Sequence, residues 1–157
     1  MKSNLTSVSK GFTLVELLVV IAIMGIMTGL ASYGIDALSQ GQRARNAGFE
    51  LASNLILARS EAIKRGMDVT ITPVSPTGWQ SGWTTTAGGV TIKEQGAMNG
   101  VVIATAAAAV TYKNNGRLPT TLGSTPVFQV GLESTTSYAR CVTIDLSGAP
   151  RSATGAC

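Results

Sequence analysis

The sequence predicts an α+β protein. One long N-terminal helix, membrane-spanning in its first half, packs by its second half against a C-terminal antiparallel β-sheet domain. Three observations carry this. From Phe12 to Ala31 nearly every side chain is apolar, and Leu17 to Met27 contains no polar one. Apolar residues then recur at every third or fourth position as far as Arg65, the amphipathic helical signature. Beyond Gly66 the pattern changes to short alternating stretches separated by Gly, Pro and Asn. Helix first and strands afterwards read as α+β.

Composition narrows the functions. The chain has 157 residues, 13% charged and 45% hydrophobic, with 12 Lys and Arg against 8 Asp and Glu, hence +4. It has no histidine and two cysteines. This excludes Ser-His-Asp and Cys-His catalysis, an imidazole switch and a His-ligated or Cys₄ zinc site. The acids Asp68, Glu94, Glu133 and Asp145 stand singly, with no pair or nucleophile constellation. The expectation is no enzyme, no cofactor and no metal.

The elements follow in order. Lys2 and Lys10 are the only charges ahead of the apolar run, and a short basic segment there orients the N-terminus to the cytoplasm. As helix, residues 12–31 rise about 30 Å, the thickness of a bilayer core. A secretory signal peptide has a shorter apolar region and a small-x-small cleavage site at its end. This stretch has neither property and also contains Glu16, which at a membrane helix centre costs about 2.5–3.5 kcal/mol. Glu16 therefore needs a partner.

Residues 32–66 continue the helix, with Phe49, Ala52, Leu55 or Ile56, Arg59 and Ala62 or Ile63 on one face. Glu61 is placed to pair with Arg65, and Gly66 to stop the helix. Gly25, Gly29, Gly34, Gly41 and Gly48 weaken it, each costing about 1 kcal/mol against alanine. Residues 67–157 form the β-rich domain, with strands expected at Val69–Thr72, Val90–Lys93, Val101–Thr105, Val110–Lys113, Val127–Leu132 and Arg140–Leu146. Turn signals separate them at Pro73–Gly78, Gly88-Gly89, Asn114–Gly116 and Ser147–Pro150.

Lys10-Gly11-Phe12-Thr13-Leu14-Val15-Glu16-Leu17 and its apolar continuation resemble the type III signal of type IV prepilins and type II secretion pseudopilins. The resemblance implies that residues 1–11 are a leader. A membrane prepilin peptidase would cut between Gly11 and Phe12 and methylate the new amine of Phe12. It also implies that Glu16 pairs with a neighbouring subunit's terminal amine during assembly, which neutralises a buried carboxylate. Pilins usually carry a proline near the positions of Tyr33 and Gly34. This chain has none, so local melting would fall to Gly29 and Gly34.

A second resemblance covers most of the β-rich domain. Leu57-Ala58-Arg59-Ser60-Glu61-Ala62-Ile63-Lys64-Arg65-Gly66 is similar to the signature of the GspH/FimT family of minor pilins and pseudopilins. Gly78-Trp79-Gln80-Ser81-Gly82-Trp83 resembles that family's G-W-x-x-G-W element, and Tyr112–Gly116 its next strand and turn. On their own terms, Arg59, Glu61, Lys64 and Arg65 read as a solvated helix face with local ion pairs. Trp79 and Trp83 read as core or hairpin packing.

Such a domain lies outside the cytoplasm, so the only cysteines, Cys141 and Cys157, are expected to form a disulfide. Val142, Ile144 and Leu146 make one apolar face of the last strand, leaving Cys141, Thr143 and Asp145 on the other. DNA-binding family members are similar in carrying G-R-x-R in this region. Here the stretch is Gly148-Ala149-Pro150-Arg151, with the first arginine replaced. Arg151, Arg140, Arg117 and Lys113 are the candidate DNA contacts.

The resemblances imply a minor type IV pilin, a low-abundance subunit that primes assembly and sits at or near the pilus tip. The alternatives are an H-type pseudopilin of type II secretion and a DNA-binding minor pilin for natural transformation. The implied partners are other minor and major pilins through the N-terminal helix, prepilin peptidase, and the inner membrane before assembly. The implied location is the inner membrane, domain periplasmic, and then the filament.

Overall fold

The computed structural model describes residues 11–76, 78–120, 124–133 and 135–157, without the side chains of 30–38, 135 and 136. The leader residues 1–10 lie outside the described residues. The chain divides into two compact units, Met1–Leu38 and Ser39–Cys157, each taken by itself below.

Helix α1 runs over Leu14–Arg65, and no break separates its residues at Gly29 or Gly34. In the first unit its apolar side chains are exposed from Leu14 through Met27. Among the described residues no helix is long and apolar enough to cross a membrane. Of the expected span, the side chains of Leu30 and Ala31 lie outside the described residues.

In the second unit α1 ends as expected: Arg65 is its last residue, and Gly66 follows with φ at 65°. Glu61 accepts a 2.5 Å hydrogen bond from Arg65 Nε. Eight strands follow: β1 (Val69–Ser75), β2 (Gly78–Ala87), β3 (Val90–Gln95), β4 (Val101–Ala104), β5 (Val110–Tyr112), β6 (Val127–Leu132), β7 (Thr135–Ile144) and β8 (Pro150–Thr154). They form two four-stranded antiparallel sheets, in the orders β3-β2-β1-β5 and β4-β6-β7-β8.

Several strand expectations need correction. Pro73 does not end β1. It pairs with Trp83 at a point where β5, which reaches only Val69–Ile71, no longer covers the other side. Proline is tolerated where a strand has such a free edge. Strand β2 falls between two turn signals where no strand is expected, and it carries both tryptophans. Pro150 opens β8 rather than closing a turn. Leu146 lies beyond the end of β7 and is 65% exposed, whereas Val142 and Ile144 are buried as expected.

The helix face is also different from the one the periodicity suggested. The core side of α1 is Ala44, Ala47, Leu51, Leu55, Ala58 and Ala62, all buried. Phe49, Ile56 and Ile63 are each more than half exposed. Alanines let the sheets approach closely, so the buried stripe is the less hydrophobic one. One continuous core joins that stripe to Val69, Ile71, Trp83, Val110 and Tyr112 of the first sheet. The same core takes in Ile103, Phe128, Val130, Val142 and Ile144 of the second. Trp79 ties the sheets together: its ring meets Phe128 edge-on at 5.0 Å, and its Nε1 donates to the Ala107 carbonyl at 2.9 Å. Both tryptophans are core, as read.

Candidate assembly surface

The N-terminus of α1 is organised by Thr13 and Glu16. The Thr13 N–H and hydroxyl each donate to Glu16 Oε2 at 3.1 Å. In return the Glu16 N–H donates to Thr13 Oγ1 at 3.3 Å. This is a reciprocal capping box, which satisfies backbone donors that a helix start leaves free. It also holds the carboxylate at the positive end of the helix dipole. Sequence reading assigned Glu16 an intermolecular partner and missed this local one, although a threonine three residues before a glutamate is the sequence signal for it. Phe12, just ahead of the box, is 84% exposed.

Farther along, in the second unit, Phe49, Ile56 and Ile63 recur two helical turns apart on one side of α1. Met67 follows just beyond the helix end, and all four are exposed. Each unit thus has its own set of exposed large apolar side chains, from Leu14 through Met27 in the first and Phe49, Ile56, Ile63 and Met67 in the second. Scattered exposed apolar residues are ordinary in soluble proteins, but a sustained stripe marks a surface that meets a partner or a membrane.

The motif residue Arg59 does not belong to a solvated face. Its Nε donates to the Gly116 carbonyl and its Nη2 to the Ser147 carbonyl, each at 3.1 Å. One guanidinium thus holds two turns that are distant in sequence, the turn after β5 and the turn between β7 and β8. The other motif charges do pair locally: Glu61 binds Arg65, with Lys64 at 3.9 Å. The Arg65 hydrogen bond, helped by both positive charges, holds the Glu61 carboxyl below its ordinary pKa.

The same clamp brings the turn flanked by Lys113 and Arg117 beside the turn that leads into β8, which carries Arg151. Lys113 is ion-paired with Asp68 at 2.7 Å, and Arg151 lies 3.9 Å from Asp145 with most of its side chain exposed. Arg117 is exposed. Arg140 is half-buried, its Cδ lying 3.2 Å from where a Cβ on Gly48 would stand, so its stem covers α1. Asp145 accepts hydrogen bonds from the Ser147 hydroxyl and from the Ala149 N–H at 3.1 Å. These bonds, Ser147 first, hold its carboxyl below the ordinary pKa, with Arg151 adding to the effect. Burial pushes the neighbouring Tyr112 phenol up.

Cys141 and Cys157 form the expected disulfide, closing a loop of sequence separation 16 that carries β8. Among the described residues no cluster of acids and cysteines could hold a metal ion.

A helix whose buried stripe packs on two antiparallel sheets, as in the second unit, is the pilin-like fold, and the comparisons with known proteins agree. Crystal structures of the Pseudomonas aeruginosa (strain PAO1) type IV minor pilin FimU superpose with TM-scores of 0.63 and 0.60 in two crystal forms. The identities are 19% and 20%; the matches cover 73% and 69% of this chain, and 90% and 91% of those chains. The family described as Type II transport protein GspH matches residues 47–148, and the prokaryotic N-terminal methylation motif matches residues 6–32. The chain therefore belongs to the GspH family of minor pilins and pseudopilins, whose members are structural subunits. No curated protein matches it.

Proposed function

We propose that the chain is a minor type IV pilin. Processed between Gly11 and Phe12 and methylated on Phe12, it is held in the inner membrane by the helix beginning there. It then enters a filament through helix–helix contacts, priming assembly at or near the tip with its domain periplasmic. The observation that carries this is the run of exposed apolar side chains along α1, together with a carboxylate at its very start. Lipid satisfies the apolar side chains before assembly, and neighbouring subunits satisfy them afterwards. Glu16, held by Thr13 in the isolated chain, exchanges that contact for a neighbour's terminal amine. The test is deletion of the gene: loss of surface filaments, restored by the wild-type chain, supports the reading. Normal piliation with failed protein secretion contradicts it.

That second outcome is what a type II secretion pseudopilin would give, a role with which the GspH family match is equally compatible. The turn flanked by Lys113 and Arg117, together with Arg151 at the start of β8, also suits a DNA-binding minor pilin, although acids already engage Lys113 and Arg151. Each phosphate contact steepens the salt dependence of binding. DNA binding that falls with salt and weakens in Arg151→Ala would support that third reading; no binding at low salt would remove it.

A further inference from the structure

Two Asn-Gly pairs lie in turns: Asn99-Gly100 ahead of β4, and Asn115-Gly116 after β5. Glycine leaves the preceding peptide the least hindered, so its backbone nitrogen can close on the asparagine carboxamide. The surroundings separate the two pairs.

At Asn115 both reacting groups are occupied. Its Oδ1 accepts from the Arg117 N–H at 3.0 Å, and the Gly116 N–H donates to the Lys113 carbonyl at 2.7 Å. Gly116 is buried, with Ile63 and Arg59 packed against it. At Asn99 neither group is held. The side chain is exposed and makes no hydrogen bond among the described residues, and the Gly100 N–H has no acceptor among them. Only the Gly100 carbonyl is engaged, accepting from the Glu133 N–H at 3.4 Å.

A cation stands beside this pair. Arg43 Nη1 lies 3.7 Å from where a Cβ on Gly100 would be, and among the described residues no carboxylate pairs with it. Arg43 and Asn99 together line a groove of about 460 Å³, with Asn46, Phe49, Glu50 and Met98 among its other walls.

We propose that Asn99 is a site of spontaneous covalent modification, promoted by Arg43. The Gly100 nitrogen, its proton taken by hydroxide, attacks Asn99 Cγ. A bond forms between Gly100 N and Cγ, the bond from Cγ to Nδ2 breaks, and Nδ2 leaves as ammonia. Nδ2 takes the proton it needs from water as it departs, which regenerates the hydroxide, and a further water opens the resulting cyclic imide at either carbonyl, leaving aspartate or iso-aspartate at position 99. No oxidant or reductant takes part. The guanidinium stabilises the negative charge that develops on the amide nitrogen and on Oδ1. The product carboxylate shares the groove with Arg43, so the groove gains one negative charge as the subunit ages.

The test uses the full chain, purified in detergent and incubated in ¹⁸O-labelled water at mildly alkaline pH, followed by peptide mapping. Label is expected at position 99 at least about tenfold faster than at position 115. In denaturant the two rates should converge, because the local sequences are alike. Arg43→Ala should slow labelling at 99 in the folded protein only. Equal rates in the folded chain, or no label at 99, would overturn the site. An unchanged rate in Arg43→Ala, whose folding is checked by circular dichroism, would overturn the role of Arg43.

Discussion

Gly148 approaches Gly116 so closely that a Cβ on Gly148 would stand 2.1 Å from the Gly116 carbonyl oxygen and 3.1 Å from the Tyr112 ring. That same carbonyl accepts from Arg59. Gly148 also has φ at 81°, where an L side chain is strained. Gly148→Ala should therefore cost about 3 kcal/mol, from left-handed strain plus overpacking. Urea melts of the unit Ser39–Cys157 measure this; an effect below about 0.5 kcal/mol, the range of a neutral surface change, would mean that the turns are not interlocked.

Arg59 is the hub of that contact. Arg59→Ala removes two charge-assisted bonds to carbonyls and should cost about 2 kcal/mol. Lysine has no planar fork to reach both acceptors, so Arg59→Lys should recover little of the loss. Full recovery by lysine would mean that charge alone matters there.

The disulfide fastens the end of the chain behind β8. In the chain-entropy model, closing a loop of this size contributes about 3 kcal/mol, so a reducing agent should lower the melting midpoint by about 10 °C. An unchanged midpoint would show that β8 holds without it.

Acid should loosen the turn between β7 and β8. The Asp145 pKa is depressed in the folded state, chiefly by the Ser147 hydroxyl and the Ala149 N–H. Its stabilisation is therefore present above the unfolded carboxylate value of about 3.9 and is lost as pH falls through the lower folded value. Glu61 adds to the trend in the same direction. Melting midpoints from pH 7 down to pH 2 should fall below about pH 4, less steeply in Asp145→Asn. Parallel curves would assign the acid sensitivity elsewhere.

How much of this was legible in the sequence varies by element. The stop at Gly66 and the bounds of β6 could be read directly, because one is a C-terminal glycine and the other a clean alternation bounded by turns. Strand β2 hid behind Ser81 and Gly82, which break the alternation. Gly82 is demanded by the close approach of β3, since a Cβ there would stand 2.2 Å from the Gln95 carbonyl. The buried helix face was half legible: of the alternatives the periodicity leaves open, Leu55 and Ala62 are the buried ones, but hydropathy favours Phe49 over Ala44 and Ala58, whereas close packing selects the small residues. The N-terminal methylation motif is local and linear, so its match over residues 6–32 could be read from the sequence directly. The Arg59 clamp joins residues 57 and 88 positions apart, and no local pattern reports such a contact.

In the proposed function, α1 with Glu16 at its head builds this subunit into a filament. The most direct measurement is the amount of subunit in sheared filaments from cells expressing either the wild-type chain or Glu16→Ala, with processing checked in the membrane fraction. The wild-type chain should appear in the filaments at low abundance, and Glu16→Ala should be processed normally yet absent from them. Equal incorporation of both would contradict the pairing of Glu16 with a neighbouring subunit, and absence of the wild-type chain would contradict assembly itself.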